Sequence, residues 1–245
     1  MCGSMSSQPT QDKTIRAQLL YDMREGQYAD CQRLPRESAL SERLGISRTQ
    51  LRDILASLER EGFITRRHGV GTIINRHVLR VPSRMDIEVE FLDMIRQSGC
   101  QPGVAFVRVA DGTADNALAR RLQIPVGTEV LRVSRLCTAD GRPAIYCDDV
   151  VEKALVRGSY TINDLKLPIF HFLQQFCGVY PYLDLTDLSP ACADAALAEI
   201  FQVPVGTPLL HMDEVDYDID GRPVFYSSEY FADGIFRHTV MRKKL

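Results

Sequence analysis

The chain has 245 residues, 45% of them hydrophobic and 25% charged, with 29 Lys and Arg against 32 Asp and Glu for a formal net charge of −3. These proportions exclude collagen, coiled-coil and wholly disordered classes and leave enough chain for one large or two ordinary domains. Cut after Arg80, the charge resolves into +4 before and −7 after, the asymmetry of a nucleic-acid-binding head on an acidic body.

Met1-Cys2-Gly3-Ser4, ahead of a second Met5, reads as the remnant of an expression tag, and residues 1–9 are expected to be disordered. Ile15, Leu19, Leu20 and Met23 recur at helical spacing between Thr10 and Gly26, where the helix stops. A second, short helix runs from Ser38 to Leu44 and closes on Gly45. Ser47-Arg48-Thr49-Gln50 then spells a capping box, in which the serine accepts from the backbone amide three residues on and the glutamine reaches back. Leu51, Ile54, Leu55 and Leu58 follow on one face, up to Gly62. Two helices joined by Gly45-Ile46 make a helix-turn-helix. After its Ser47 cap, the second helix presents Arg48, Thr49, Gln50 and Arg52 in a turn and a half. Arginine grips guanine and glutamine grips adenine bidentately, so a recognition helix needs this composition, although a merely solvated face can share it.

Phe63-Ile64-Thr65 and Thr72-Ile73-Ile74 are β-prone runs around Arg66-Arg67-His68-Gly69-Val70-Gly71, a hairpin with a basic, glycine-rich tip. Such a wing lets the backbone at Gly69 approach the sugar-phosphate chain while Arg66, Arg67 or His68 reaches phosphates or the minor groove. The stretch from Leu34-Pro35-Arg36-Glu37-Ser38 through Ser47-Arg48-Thr49-Gln50-Leu51-Arg52, Leu58-Glu59-Arg60-Glu61-Gly62 and His68-Gly69-Val70-Gly71-Thr72 resembles the DNA-binding domain of the GntR family of bacterial transcriptional regulators. The resemblance covers nearly all of residues 10–75. It implies a winged helix-turn-helix domain that contacts double-stranded operator DNA through Arg48, Thr49 and Arg52 and, from the wing, His68 and Gly69. Where that family usually carries an arginine this chain has Ser38, which makes Arg36 a candidate substitute.

Residues 76–84, with His77, Pro82 and Ser83, lack a period and read as a linker to a second domain, 85–245. That domain opens with a helix carrying Ile87, Phe91, Leu92, Met94 and Ile95 and ended by Gly99. It then repeats itself: Ala114 to Tyr146 aligns with Ala193 to Tyr226, with 16 of 33 positions identical and one extra residue before the second Asp-Gly. Each copy reads as helix, turn, strand, Asp-Gly hairpin, strand. Further β-prone runs at 105–109, 179–185 and 237–242 enlarge the sheet, and a helix over 169–176 covers one face. The expected class is α+β, an antiparallel sheet with an internal pseudo-two-fold repeat.

Residues 85–242 resemble the UTRA domain, the effector-sensing half of the HutC-like branch of the same family. That resemblance implies a chorismate lyase-like fold, a metabolite pocket between sheet and helices, and a homodimer. In sugar-phosphate-binding members an arginine near Arg135 contacts the anion and glutamates near Tyr146 and Tyr226 hold hydroxyls. Here both glutamates are replaced by tyrosine. Strand alternation sets Tyr146 on one face of the first copy and Tyr226, Ser228 and Tyr230 on the equivalent face of the second. With Arg135 and His171 these residues make the expected effector site, for an anionic ligand of aromatic or apolar character. Each has a plainer alternative: packing for the tyrosines, an ion pair for Arg135, a hydrogen-bonded semi-buried place for His171.

Seven dispersed cysteines without a Cys-x-x-Cys pair suit a reduced, cytoplasmic protein without structural zinc. No apolar run approaches the roughly 20 residues of a membrane-spanning helix. No Ser/His/Asp spacing or phosphate loop speaks for catalysis, and no cofactor is expected. The reading is a non-enzymatic repressor that binds a palindromic operator as a homodimer and answers to a small metabolite. Two rivals stay open: a chorismate lyase-like enzyme with a vestigial head, and a DNA-binding protein whose body senses nothing.

Overall fold

Three helices, α1 (Gln8–Arg24), α2 (Glu37–Leu44) and α3 (Arg48–Arg60), and the antiparallel hairpin β1 (Ile64–Arg67) and β2 (Gly71–Ile74) build the first part of the computed structural model, which describes residues 8–81 and 84–242. Most of the stretch read as a tag remnant, residues 1–7, therefore lies outside the described residues, as do Pro82 and Ser83. Gly45 takes φ 65°, the left-handed conformation that lets α2 stop and the chain turn into α3. Ser47 caps α3 by accepting from the Gln50 amide at 3.1 Å. Leu19, Met23, Leu40, Leu51, Leu55 and Leu58 interlock in a core that excludes water. Asp22 is buried beside it and keeps its charge paired: it accepts from Gln18, Gln27 and both terminal nitrogens of Arg43, tying α1 to α2.

The linker expectation fails at residues 76–79. They form α4 (Arg76–Leu79), whose Val78 and Leu79 are buried in the same core while Arg76 donates to the carbonyls of Met23, Tyr28 and Cys31. Two further segments belong to this part rather than to the body. Thr239 bridges Arg84 in parallel and Met241 packs on the core, so residues 237–242 are not a strand of the large sheet. Ile87, expected in the body's first helix, packs there too, and that helix, α5 (Phe91–Gln97), begins only after Glu88-Val89-Glu90. Among the described residues two compact units result, one running to Ile87 and including 239–242, the other Glu88–His238.

The second unit continues as β3 (Pro102–Thr113), α6 (Asn116–Leu122), β4 (Glu129–Ala139), β5 (Arg142–Glu152), α7 (Ile169–Phe172, running on into a π-helical turn over Leu173–Cys177), β6 (Leu183–Cys192), α8 (Ala195–Phe201), β7 (Pro208–Tyr217) and β8 (Pro223–Ala232). Its six strands are antiparallel in the order β3-β4-β5-β8-β7-β6, so the two copies of the repeat meet at β5 and β8. On one face α6 packs against Val150 and Tyr226, and α8 against Tyr146 and Tyr230, so each copy's helix reaches a strand of the other copy. On the opposite face Leu165, Ile169, Phe172 and Leu173 close over Leu131, Val133, Val151 and Phe225.

Candidate functional site

In the head, Arg48 and Thr49 are exposed at the first turn of α3, with Ser47 exposed as its cap; Arg36 and Ser38 are exposed at the start of α2. Arg67, His68 and Gly69 are exposed at the tip of the hairpin, where Gly69 at φ 73° and Gly71 at φ 98° make the tight turn. Among the described residues the side chains of Arg36, Arg48, Arg67 and His68 make no hydrogen bond or ion pair. Three neighbours are already engaged. The side-chain Nε2 of Gln50 donates to Asp12 of α1 at 2.5 Å, so it does not stand free to read adenine. Arg52 donates to Glu37 at 2.8 Å, and Arg66 donates through its Nε to Glu59 at 2.7 Å. Surface pairs of this kind are weak and exchange readily for phosphate.

In the body the expected effector residues fall on opposite faces of the sheet. Arg135 lies across from Cys147, whereas Tyr146 lies across from Leu136. Tyr146 pairs in turn with Tyr230, Asp148 with Ser228 and Val150 with Tyr226. Successive residues of a strand point to opposite sides, so Tyr146, Tyr226, Ser228 and Tyr230 share the α6/α8 face and Arg135 the α7 face. The tyrosines are part of a packed layer: His211 stacks on Tyr230 at 4.6 Å and reaches Ser228 at 3.0 Å, and Arg121, paired with Asp213, lies over the Tyr226 ring at 5.1 Å. His171 is exposed on α7, away from either layer's interior.

The α7 face carries a second, unexpected set. Arg135 is buried and gives Nε and Nη2 to one oxygen of Asp149 at 3.1 and 2.8 Å, and Nη1 to the Leu167 carbonyl at 3.3 Å. The other oxygen of Asp149 accepts from Ser227 at 2.8 Å, and Glu214 accepts from Thr186 at 2.6 Å. Asp149, Ser227, Glu214 and Thr186 are cross-strand partners in one row over β5, β8, β7 and β6. Glu229 is buried beside that row, and Asp216 is wholly buried with no hydrogen-bond partner among the described residues on either carboxylate oxygen. Desolvation, then the neighbouring acids Glu214, Glu88, Asp184 and Asp149, push the Asp216 carboxyl up to about 9. Glu214 rises to about 7, again chiefly through desolvation, and Glu229 rises for the same reason. Ahead of α5, desolvation outweighs the nearby Arg135 and lifts Glu90, which accepts from the Phe170 amide, to about 7. Glu88 keeps part of its surface in solvent; crowding of its carboxyl by the protein and by Glu214, Asp184 and Glu90 still raises it to about 8. An anionic ligand thus loses its basis: Asp149 already neutralises Arg135, and the groups around the pair are acids.

A cleft of about 420 Å³ opens at the β6 end of the sheet against Leu188, Pro190, Leu210, Phe231, Phe236 and His238. Among the described residues no group of His, Cys, Asp and Glu converges to hold a metal ion, and no helix is long and apolar enough to cross a membrane.

Two family descriptions match the chain in tandem: bacterial regulatory proteins of the gntR family over residues 11–74, and the UTRA domain over residues 97–237. The chain is a GntR-family regulator with a UTRA domain. It is 27% identical over 216 residues, 84% of each chain, to an uncharacterized HTH-type transcriptional regulator of Rhizobium meliloti. It is 25% identical to the HTH-type transcriptional repressor PhnF of Mycolicibacterium smegmatis, over 76% of this chain and 74% of that one. A possible transcriptional regulator, YydK from Bacillus subtilis, has the same fold, with a TM-score of 0.74 at 19% identity over 95% of this chain and 99% of that one. The GntR/UTRA chain is accordingly a ligand-responsive DNA-binding regulator.

Sequence reading of this regulator missed Asp149, Glu214, Asp216 and Glu229. A signal was present: alternate positions of β7 run Leu210, Met212, Glu214, Asp216, so one apolar face turns acidic in mid-strand, which a solvent-facing stripe would not do.

Proposed function

We propose that this regulator binds a palindromic double-stranded operator as a homodimer in the cytoplasm, represses, and is released when a small molecule occupies the α7 face of its body. The observation that carries the reading is the solvent-facing, unpartnered Arg48 beside Thr49 at the start of an α3 whose other face is locked in the core. A guanidinium there, on a helix whose N-terminus enters the major groove first, can grip guanine O6 and N7. The dimer is supported by β6, an edge strand with exposed Leu183, Leu185 and Leu188 that follows exposed Tyr180 and Tyr182; an apolar edge left open invites pairing, and a second copy would cover it. Two-fold symmetry then calls for half-sites about 10 base pairs apart. Ligand release requires that the small molecule favour one arrangement of the dimer over another.

We read the body as a binding domain without turnover. Its polar face offers no activated nucleophile: burial pushes the Cys147 thiol well above the ordinary range and Cys137 up to about 11, which leaves both inert. The test is operator binding by fluorescence anisotropy. Arg48→Ala should cost about 1–3 kcal/mol and relax base preference, while Arg67→Ala should weaken all sequences alike and reduce the salt slope by about 1. Unchanged affinity and footprint for Arg48→Ala would remove α3 as the recognition helix.

A further inference from the structure

The repeat places the two halves of the polar face in direct correspondence. Counting along the aligned copies, Arg135 of β4 matches Glu214 of β7, and Asp149 of β5 matches Glu229 of β8. The first copy therefore holds a buried cation against a buried anion. In the second copy both places are carboxyls, and Asp216 adds a third, fully buried and unpartnered.

Among the described residues the charged groups acting on these three carboxyls are acids, and the nearby cation, Arg135, is engaged by Asp149. From β4 comes Arg135, which Asp149 of β5 engages; from β6 comes Asp184; from the segment ahead of α5 come Glu88 and Glu90. Unpaired buried charge is among the costliest features a fold can keep. Protonation lowers that cost and does not remove it, because a neutral carboxyl still has one hydrogen to donate and lone pairs to fill, and Asp216 has a partner for neither. A chelated metal ion is disfavoured by the spacing of the acids, since no metal-holding group forms among the described residues. A multi-donor organic cation meets both requirements, as Arg135 does in the first copy.

We propose that the second repeat binds an organic cation carrying a primary ammonium or guanidinium group, seated between Glu88 and the acids Glu214, Asp216 and Glu229, where it supplies the positive partner that Arg135 supplies in the first repeat. The inference rests on reading the body as the effector domain. The way in is marked by Glu88 and Asp184, which retain contact with solvent while Asp216 lies at the bottom. The Asp216 oxygens are covered and Glu88 is among the acids that act on them, so we take entry to move the Glu88–Glu90 segment, the first residues of the body after the head in the chain. That movement gives the ligand a differential hold on the connection to the head. The cation must also displace the protons that the raised carboxyls retain near neutrality. Binding therefore releases protons and tightens as pH rises from 7 towards 9, until an amine ligand begins to lose its own proton near about 10.

The experiment uses the full chain, with agmatine and putrescine as cationic probes, succinate as the anionic and 1,4-butanediol as the neutral control, at constant ionic strength. Calorimetry and thermal shift at pH 7 and 8.5 should show binding of at least one cationic probe, stronger at the higher pH and accompanied by proton release in buffers of different ionisation enthalpy. Asp216→Asn, nearly isosteric, should weaken it roughly tenfold or more, and Glu214→Gln should do the same if the first variant proves unstable. Cation binding that is indifferent to both substitutions would overturn the location. Binding of only the anionic or neutral control, sensitive to Asp216→Asn, would overturn the cationic class and leave the effector reading standing. Failure of every probe at both pH values would overturn the cation and count against the effector reading too; operator release by any other metabolite would then rescue the second alone.

Discussion

Copy one of the repeat and copy two start their helices by the same device. Asp115 accepts from the amides of Ala117 and Leu118, and Asp194 from that of Leu197. Gln123 and Gln202 both end their helices in the left-handed region, at φ 53° and 57°. Gly127 and Gly206 both sit at φ 86°, and Thr128 and Thr207 both donate to the proline carbonyl three residues back, at 2.8 and 2.7 Å. On the α7 face the copies part: Arg135 with Asp149 in one, Glu214 with Glu229 in the other. Residues that set backbone geometry have few substitutes, since only certain side chains cap a helix or accept positive φ. A sheet-face position tolerates any side chain whose polar atoms find partners. Function diverges there while the frame stays.

The two copies should differ most when the cation is removed from the one that has it. Arg135→Met should destabilise the body by about 3–5 kcal/mol, because Asp149 would remain buried with the Ser227 hydroxyl and the weakly donating Cys147 thiol but no cation. Glu214→Gln should change stability far less at pH 7, since its carboxyl already holds a proton for much of the time there. Urea titrations of the two variants would read this directly, and equal losses would contradict the assignment of one paired and one unpaired half.

The next largest difference lies in pH dependence. Asp216 and Glu214 bind protons more tightly folded than unfolded, so the native state carries the extra protons between about pH 4 and their raised values of about 9 and 7. Their contribution to stability is therefore complete below about pH 4 and declines as pH rises through 7 to 9. Asp216→Asn should flatten that decline. Unfolding midpoints at pH 5, 7 and 9 would check the sign.

Much of the frame was legible from local pattern: the Ser47 cap, the stripe of α3, the glycine turns of the wing, the duplicated Pro-Val-Gly-Thr. The effector set was not, and the cause is a single residue. From the Asp-Gly turn, Ala139 pairs with Arg142 and Thr138 with Pro143; simple alternation would then carry Arg135 to Tyr146. A β-bulge intervenes, Cys137 pairing with Ile145, and Arg135 moves to Cys147 and the other face. The same bulge recurs between Asp216 and Tyr217 in the second copy. Bulges depend on strand pairing and twist, which no window of sequence displays. The linker over 76–84 failed for a similar reason: Val78 and Leu79 look unpatterned over so short a run, and only the carbonyls that Arg76 gathers from distant turns explain why they stay helical.

The smallest effect tests the shared part of the comparison. If both copies use their aspartate caps alike, Asp115→Ala and Asp194→Ala should lower the melting temperature of the body by similar, modest amounts, well below the loss for Arg135→Met, because each leaves one exposed helix start without its acceptor. Asp115 serves two amides and Asp194 one, so a slightly larger loss at Asp115 is the direction expected. The Asp115 carboxyl is held below the usual range by the Leu118 amide above all, which adds a second readout: its cap should weaken as pH falls through that depressed value, and Asp115→Asn, which keeps an acceptor oxygen, should remove the pH response while retaining most of the stability. A large gap between the two alanine variants would mean that one copy leans on its helix and the other on its sheet, and the symmetry would then be one of sequence more than of energetics.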